Sequence, residues 1–204
     1  MDNTKREKEL VWVQILYLYI IPVLLLYFKI LPGNFRFLML FGIAILLYGI
    51  VKHDHWTYSD LGIKRDFMKD IIPYALFTAG GVFFLVWLAQ VVPHDPFLKW
   101  DDNAKFLLLF VPISILQEVI FRGILMNMLR RAFKSPIFII VLNASVFAFL
   151  HVIYLNSIFV LPMTFIAGVG FAWIYYQYEN LPLISLAHTI LNFTAMVLGF
   201  FIIR

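Results

Sequence analysis

Read for polarity alone, the chain is a series of apolar runs separated by short polar breaks. Seven runs, at about 10–30, 35–51, 71–92, 104–127, 136–155, 158–176 and 182–203, are long enough to cross a bilayer as helices, which takes roughly 17–25 residues. Pro22, Pro73, Pro112 and Pro162 fall inside these runs or at their starts, a placement that membrane helices tolerate. Trp12, Tyr17, Tyr27, Trp56, Trp100, Tyr175, Tyr176 and Tyr178 gather near run ends, as interfacial aromatic belts do. Small residues four apart, Ala75/Ala79 and Gly168/Ala172, predict close helix contacts. The expected architecture is all-α: one polytopic membrane helical bundle over residues 1–204, with about seven transmembrane helices and no internal repeat or second domain.

Composition strengthens the membrane assignment. The chain is 63% hydrophobic and 14% charged, against about 45–50% and about 25% in ordinary soluble domains. The first apolar run is too long for a signal-peptide core and no small-residue cleavage site follows it, so it reads as a retained span. No Arg/Lys cluster is interleaved with aromatics in a polar setting, which excludes nucleic acid as a partner. There is no Cys, hence no disulfide framework, thiolate nucleophile or Cys-ligated metal. Lys5, Arg6, Lys8, Lys52, Lys64, Arg65, Lys69, Arg130, Arg131 and Lys134 fall on one side of the alternating spans; Lys29, Arg36, Lys99, Lys105 and Arg204 fall on the other. The positive-inside bias therefore places the N-terminus in the cytoplasm, and the Cys-free, Lys/Ile/Phe-rich composition suggests a bacterial cell membrane. The longest polar break, around 52–70, ends in Asp66–Ile72, which reads as a short amphipathic surface helix. Within it, His53 and His55 flank Asp54; a solvated turn is the better reading than a metal site, with no fourth ligand near in sequence.

The chemistry sits where polar residues interrupt apolar runs. The fourth run carries ILQEVIFRG, with Glu118 and Arg122 at i,i+4 and the acid first, the better orientation for an ion pair. The fifth carries Phe147 and His151 and the seventh His188 and Asn192, again four apart and so each on one helix face. Ionised groups at membrane depth are costly and persist where they pair, face a protein interior or serve a reaction. Unless the three faces converge, each would strand polar atoms in hydrocarbon. Convergence makes one buried cluster of Gln117, Glu118, Arg122, His151, His188 and Asn192. Such a cluster suits hydrolysis: a carboxylate beside an imidazole can deprotonate water, and a His or Asn N–H can bind an oxyanion. A zinc site of Glu118, His151 and His188 is the alternative, although no H-E-x-x-H is present.

The pattern resembles the CAAX-protease and bacteriocin-processing intramembrane endopeptidases, whose signature is E-E-x-x-x-R, F-x-x-x-H and H-x-x-x-N or H-x-x-x-D on separate helices. Here these read Gln117-Glu118-x-x-x-Arg122, Phe147-x-x-x-His151 and His188-x-x-x-Asn192, in order, with Ser59-Asp60-Leu61-Gly62-Ile63 also family-like. The resemblance covers about 59–200 and adds little to the first two spans. It implies peptide-bond hydrolysis by glutamate-activated water, in a cavity opening toward the cytoplasm and membrane. It also implies no cofactor and a membrane-associated substrate: a CAAX-type protein or a pheromone or bacteriocin precursor. Residue 117 with Glu118 would activate water, Arg122 would hold Glu118, and His151 would assist the proton transfer. His188 and Asn192 would steady the oxyanion, and Phe147 would contact substrate.

Two features strain this picture. The first motif carboxylate is Gln117, and an amide takes no proton from water near neutral pH. Three readings of it are open: Glu118 serves as the base; the chain is a silent relative that binds peptide or confers immunity; or a glutamate was deliberately replaced. The second is depth. Glu118 lies mid-span, His151 near the outer end of its span and His188 near the inner end of its own, so six to ten residues separate their levels, about 9–15 Å along a helix. The cluster forms only if helices tilt, slide or break.

Overall fold

The computed structural model describes residues 3–92, 104–154 and 157–200. Seven helical spans run through them. α1 comprises Asn3–Ile15, a π-helical turn at Leu16–Ile20, and Ile21–Tyr27. A 3-10 turn at Gly33–Phe35 leads into α2, Arg36–His53, and another at Phe67–Asp70 into α3, Ile71–Leu88. α4 comprises Ala104–Glu118, a π-helical stretch at Val119–Leu125, and Met126–Ala132. α5, Pro136–Phe149, tightens into a 3-10 turn at Leu150–Ile153. α6 is Ser157–Tyr178 and α7 is Leu181–Val197. Six spans are long and apolar enough to cross a membrane and α7 is the shorter one, so the chain is an integral-membrane helical bundle, as the apolar pattern predicts.

Local chemistry explains where α5 and α7 begin. Ser135 and Asn180 each precede a proline in the first helical turn, and their side chains accept from the N–H of Phe138 and of Leu183. A polar cap followed by proline is a strong helix start, because the cap satisfies an orphan donor and proline lacks one. Asn180 is fully buried and also donates to the Phe67 carbonyl at 2.7 Å and to the Asp70 carboxylate at 3.0 Å, which ties the start of α7 to the start of α3.

The basic loops meet at one end of the bundle. Lys64 donates to the Tyr178 carbonyl at 2.8 Å, and Arg130 to the Tyr176 carbonyl at 2.6 Å and to the Glu179 carboxylate. The Arg131 guanidinium lies 4.3 Å from the Trp56 ring. Lys99, Trp100 and Arg204, and the side chain of Lys105, lie outside the described residues.

The Ser59–Ile63 loop does not stay at this surface. The Thr57 hydroxyl and N–H bind the Asp60 carboxylate at 2.7 and 2.6 Å, holding Asp60 below the usual carboxylate range. Beyond this turn, Asn127 donates to the Asp60 carbonyl, the Tyr175 hydroxyl to that of Leu61, and the Leu181 N–H to that of Gly62. Gly62 has φ +73°, and a Cβ there would collide with the Tyr175 hydroxyl, so only glycine fits. A Cβ on Gly123 would lie 3.6 Å from the Leu61 carbonyl and 3.7 Å from the Leu181 side chain. The loop therefore enters the bundle to the level of Gly123 and carries the start of α7 with it. α7 therefore begins inside the bundle, and His188 comes within 2.5 Å of Glu118, which removes the mismatch for that pair.

Three smaller expectations are corrected. Asp66–Ile72 is not a separate surface helix; Phe67–Asp70 is one 3-10 turn that runs into α3. Ala75 and Ala79 are exposed, and the close contact of α3 is at Gly81, where a Cβ would be 2.8 Å from Leu191. Tyr175 is buried at 3% exposure and serves the loop instead of an interfacial belt. Gly168 and Ala172 are buried as expected.

Candidate active site

α4 supplies the centre of the site. The α-helix ends at Glu118 and the widened π stretch begins at Val119, carrying Arg122. Side chains from other spans reach carbonyls of that stretch: the Tyr19 hydroxyl donates to Ile120 at 3.1 Å and the Asn143 amide to Phe121 at 2.8 Å. π-helical insertions frequently occur at functional sites, and no residue pattern in the apolar run announces this one.

Glu118 and Arg122 are wholly buried. Arg122 donates to Glu118 Oε1 at 3.1 Å and to the Gly168 carbonyl at 3.3 Å. Its guanidinium lies 4.5 Å from the Phe147 ring centroid and 5.3 Å from that of Phe171, within cation–π range. Gly168 allows the approach, since a Cβ there would sit 3.1 Å from Phe147. His188 Nδ1 is 2.5 Å from the same Glu118 oxygen. If the carboxylate is ionised and the imidazole neutral, Nδ1 is the donor and Nε2 an acceptor. Glu118 Oε2 has no protein partner among the described residues. One helical turn along, the Asn192 amide donates to the buried Ser114 hydroxyl at 3.1 Å.

His151 lies in the 3-10 turn that closes α5. Its Nδ1 is 3.1 Å from the Phe147 carbonyl, and its ring stacks on Tyr154 at 5.6 Å and 16°. Two cavities meet at His151. The outer one, about 440 Å³, lies against α1 and α2 and is also lined by Gln117 and Tyr154. The lateral one, about 250 Å³, lies between α3, α6 and α7 and is also lined by Phe147, His188 and Asn192. Gln117 faces the outer cavity and Glu118 lines neither cavity. Consecutive residues on a helix point about 100° apart, so the two neighbours face different ways.

The six predicted residues thus occupy one region but two settings. Glu118 and Arg122 form a sealed pair bonded to His188, which with Asn192 lines the lateral cavity; Gln117 and His151 form part of the outer cavity wall. Phe147 packs between them, 5.1 Å from the His151 ring and 5.6 Å from that of His188. Tyr19, Ser114, Asn143 and Tyr154 were not singled out from the sequence, since hydroxyl, amide and phenol groups are unremarkable in apolar spans. Among the described residues no three His, Asp or Glu side chains are grouped as a ligand set, and Arg122 binds the Glu118 carboxylate. His53 pairs with Asp54 at 2.9 Å and joins no such set.

Comparison with known proteins agrees with the motifs. Residues 99–194 match the family described as Type II CAAX prenyl endopeptidase Rce1-like. No curated protein and no solved structure matches the chain. The matched segment contains all three polar pairs and both cavity-lining histidines, and over it the chain is similar to the Rce1-like CAAX prenyl endopeptidases.

Proposed function

We propose that the chain is an intramembrane endopeptidase whose water-activating position is residue 117 with His151, and that Gln117 leaves it binding peptide with little turnover. The observation that carries this is the division of neighbours: Gln117 and His151 line one 440 Å³ cavity, while Glu118 is sealed away from it. A carboxylate at 117 would take a proton from water, the hydroxide would attack the peptide carbonyl, and His151 would pass the proton to the leaving amine. Asn192, from the lateral cavity, would donate to the oxyanion, and His188, its Nδ1 held by Glu118, would donate through Nε2 only in its protonated form. Glu118 and Arg122 would position His188. The substrate would be a membrane-associated peptide or protein, of the CAAX type or a pheromone or bacteriocin precursor.

The test is Gln117→Glu in proteoliposomes with a membrane-inserted peptide. The expected gain in hydrolysis is about 10²–10⁴-fold, the range of a positioned general base. Equal turnover by the two forms defeats the proposal. A second reading is supported by the 2.5 Å bond from His188 to Glu118: His188 Nε2 acts as base, its tautomer set by the carboxylate as in Ser-His-Asp sites. In that case the unaltered protein hydrolyses peptide and Glu118→Gln abolishes it. A purely protective role, in bacteriocin immunity, would survive His151→Ala.

The loop charge supports a cytoplasmic N-terminus. The outer cavity, whose wall includes Lys29 and Gly33 between α1 and α2, then opens on the far face, opposite to the cytoplasmic opening that the resemblance implies. Because the chain has no Cys, a single Lys29→Cys variant labelled by an impermeant maleimide on intact cells decides the side.

A further inference from the structure

We propose that the rim of the outer cavity is a subsite that reads a carboxylate on the bound peptide, with Lys29 and Arg36 as its donors. The inference rests on the outer cavity being where peptide binds. Both residues line that cavity, whose floor is Gln117 and His151. Most of the remaining wall is apolar, including Leu26, Phe37, Met39 and Leu40 from α1 and α2. These two spans lie outside the family match, which begins at residue 99.

The cations at the two ends of the bundle are used differently. At the basic end, Lys64, Arg130 and Arg131 are engaged by carbonyls, a carboxylate or a ring and hold the loops together. At the cavity rim, neither Lys29 nor Arg36 has a carboxylate partner among the described residues; the Arg36 guanidinium overlies the Phe37 ring at 4.9 Å and lies within electrostatic range of Tyr154. Lys29 sits at φ +57° where α1 ends, in a turn closed by its N–H to the Leu26 carbonyl at 3.0 Å. A non-glycine residue is uncommon there. Lys and Arg at helix ends often just reach for the interface. Here both instead border a cavity that leads to the proposed reacting centre. Charge against an apolar wall is screened less than charge in water, so the pair selects an anion. The chemistry that fits is an apolar peptide segment ending in, or carrying, a carboxylate.

The experiment uses the full chain in phosphatidylcholine nanodiscs and nine-residue peptides of alternating leucine and alanine, labelled at the N-terminus with an uncharged fluorophore. Three forms are compared by anisotropy: a free-acid C-terminus, an amidated C-terminus, and an amidated peptide with a central aspartate. At least one carboxylate form should bind about tenfold more tightly than the neutral amide, as a charge-assisted contact provides; whichever does identifies the C-terminal or the side-chain carboxylate as the group read. The preference should vanish in Lys29→Gln/Arg36→Gln and persist in Lys29→Arg, with melting temperatures unchanged. Equal binding of the three forms overturns the proposal, as does a preference that survives the double glutamine variant. Loss of the preference when a third of the lipid is phosphatidylglycerol also overturns it, by assigning the cations to lipid phosphate. Turnover of the neutral amide peptide by Gln117→Glu reads the hydrolytic proposal separately, so either can fail alone.

Discussion

α2 and α4 are both long apolar helices that qualify as membrane spans, yet they occupy opposite places in the bundle. Only 11% of the most apolar window of α2 is buried, and its side chains Ile45, Leu46 and Tyr48 face outward. In α4 the figure is 56%, although α4 has the lowest mean hydropathy of the six long spans. It holds Ser114, Glu118 and Arg122, all fully buried. The least hydrophobic span is thus the most enclosed. In water the order would be reversed; in lipid a uniformly apolar helix has no reason to leave the hydrocarbon, while polar groups must find protein partners. The comparison also explains the division at the site. His188 of α7 reaches Glu118 and Gly168 of α6 holds Arg122, whereas the face of α4 that carries Gln117 looks toward α1 and α2 and keeps a cavity.

Breaking the centre should cost most. Glu118→Ala leaves the Arg122 cation buried with one carbonyl and aromatic rings, a loss of about 3–5 kcal/mol, read as a large fall in melting temperature or failure to purify in detergent. Removing both charges in Glu118→Ala/Arg122→Leu should recover much of it; a double variant no better than the single would show that the pair is not coupled. Next in size is Gly62→Ala, which forces a side chain into a positive-φ position against the Tyr175 hydroxyl and should cost about 1–3 kcal/mol. It should also lower any hydrolysis that Gln117→Glu confers, because the start of α7 hangs on that loop. Smallest is Ile45→Ala on α2, expected within about 0.5 kcal/mol by the same thermal measurement. A loss well above 1 kcal/mol would mean that this face is covered by protein instead of lipid.

How much was legible follows from the same physics. Charged and imidazole side chains inside apolar runs are conspicuous, so Glu118, Arg122, His151, His188 and Asn192 could be singled out and their convergence argued. Tyr19, Ser114, Asn143 and Tyr154 carry equal structural weight around them but look like ordinary span residues, and the π stretch at Val119–Leu125 leaves no mark on the pattern. Ala75 and Ala79 had the spacing of a packed face and lie exposed, because spacing specifies a stripe and not its partner.

The sequence by itself determined the solvent, the helical class and which residue types had to be brought together, since each depends on the transfer of side chains and backbone between water and lipid. Only the tertiary structure decided their levels and their facing. The inward Ser59–Ile63 loop sets where α7 starts, and the neighbours packed around α4 decide that Glu118 is enclosed while Gln117, one residue away, meets a cavity. Both outcomes depend on contacts between distant segments, which no local pattern encodes.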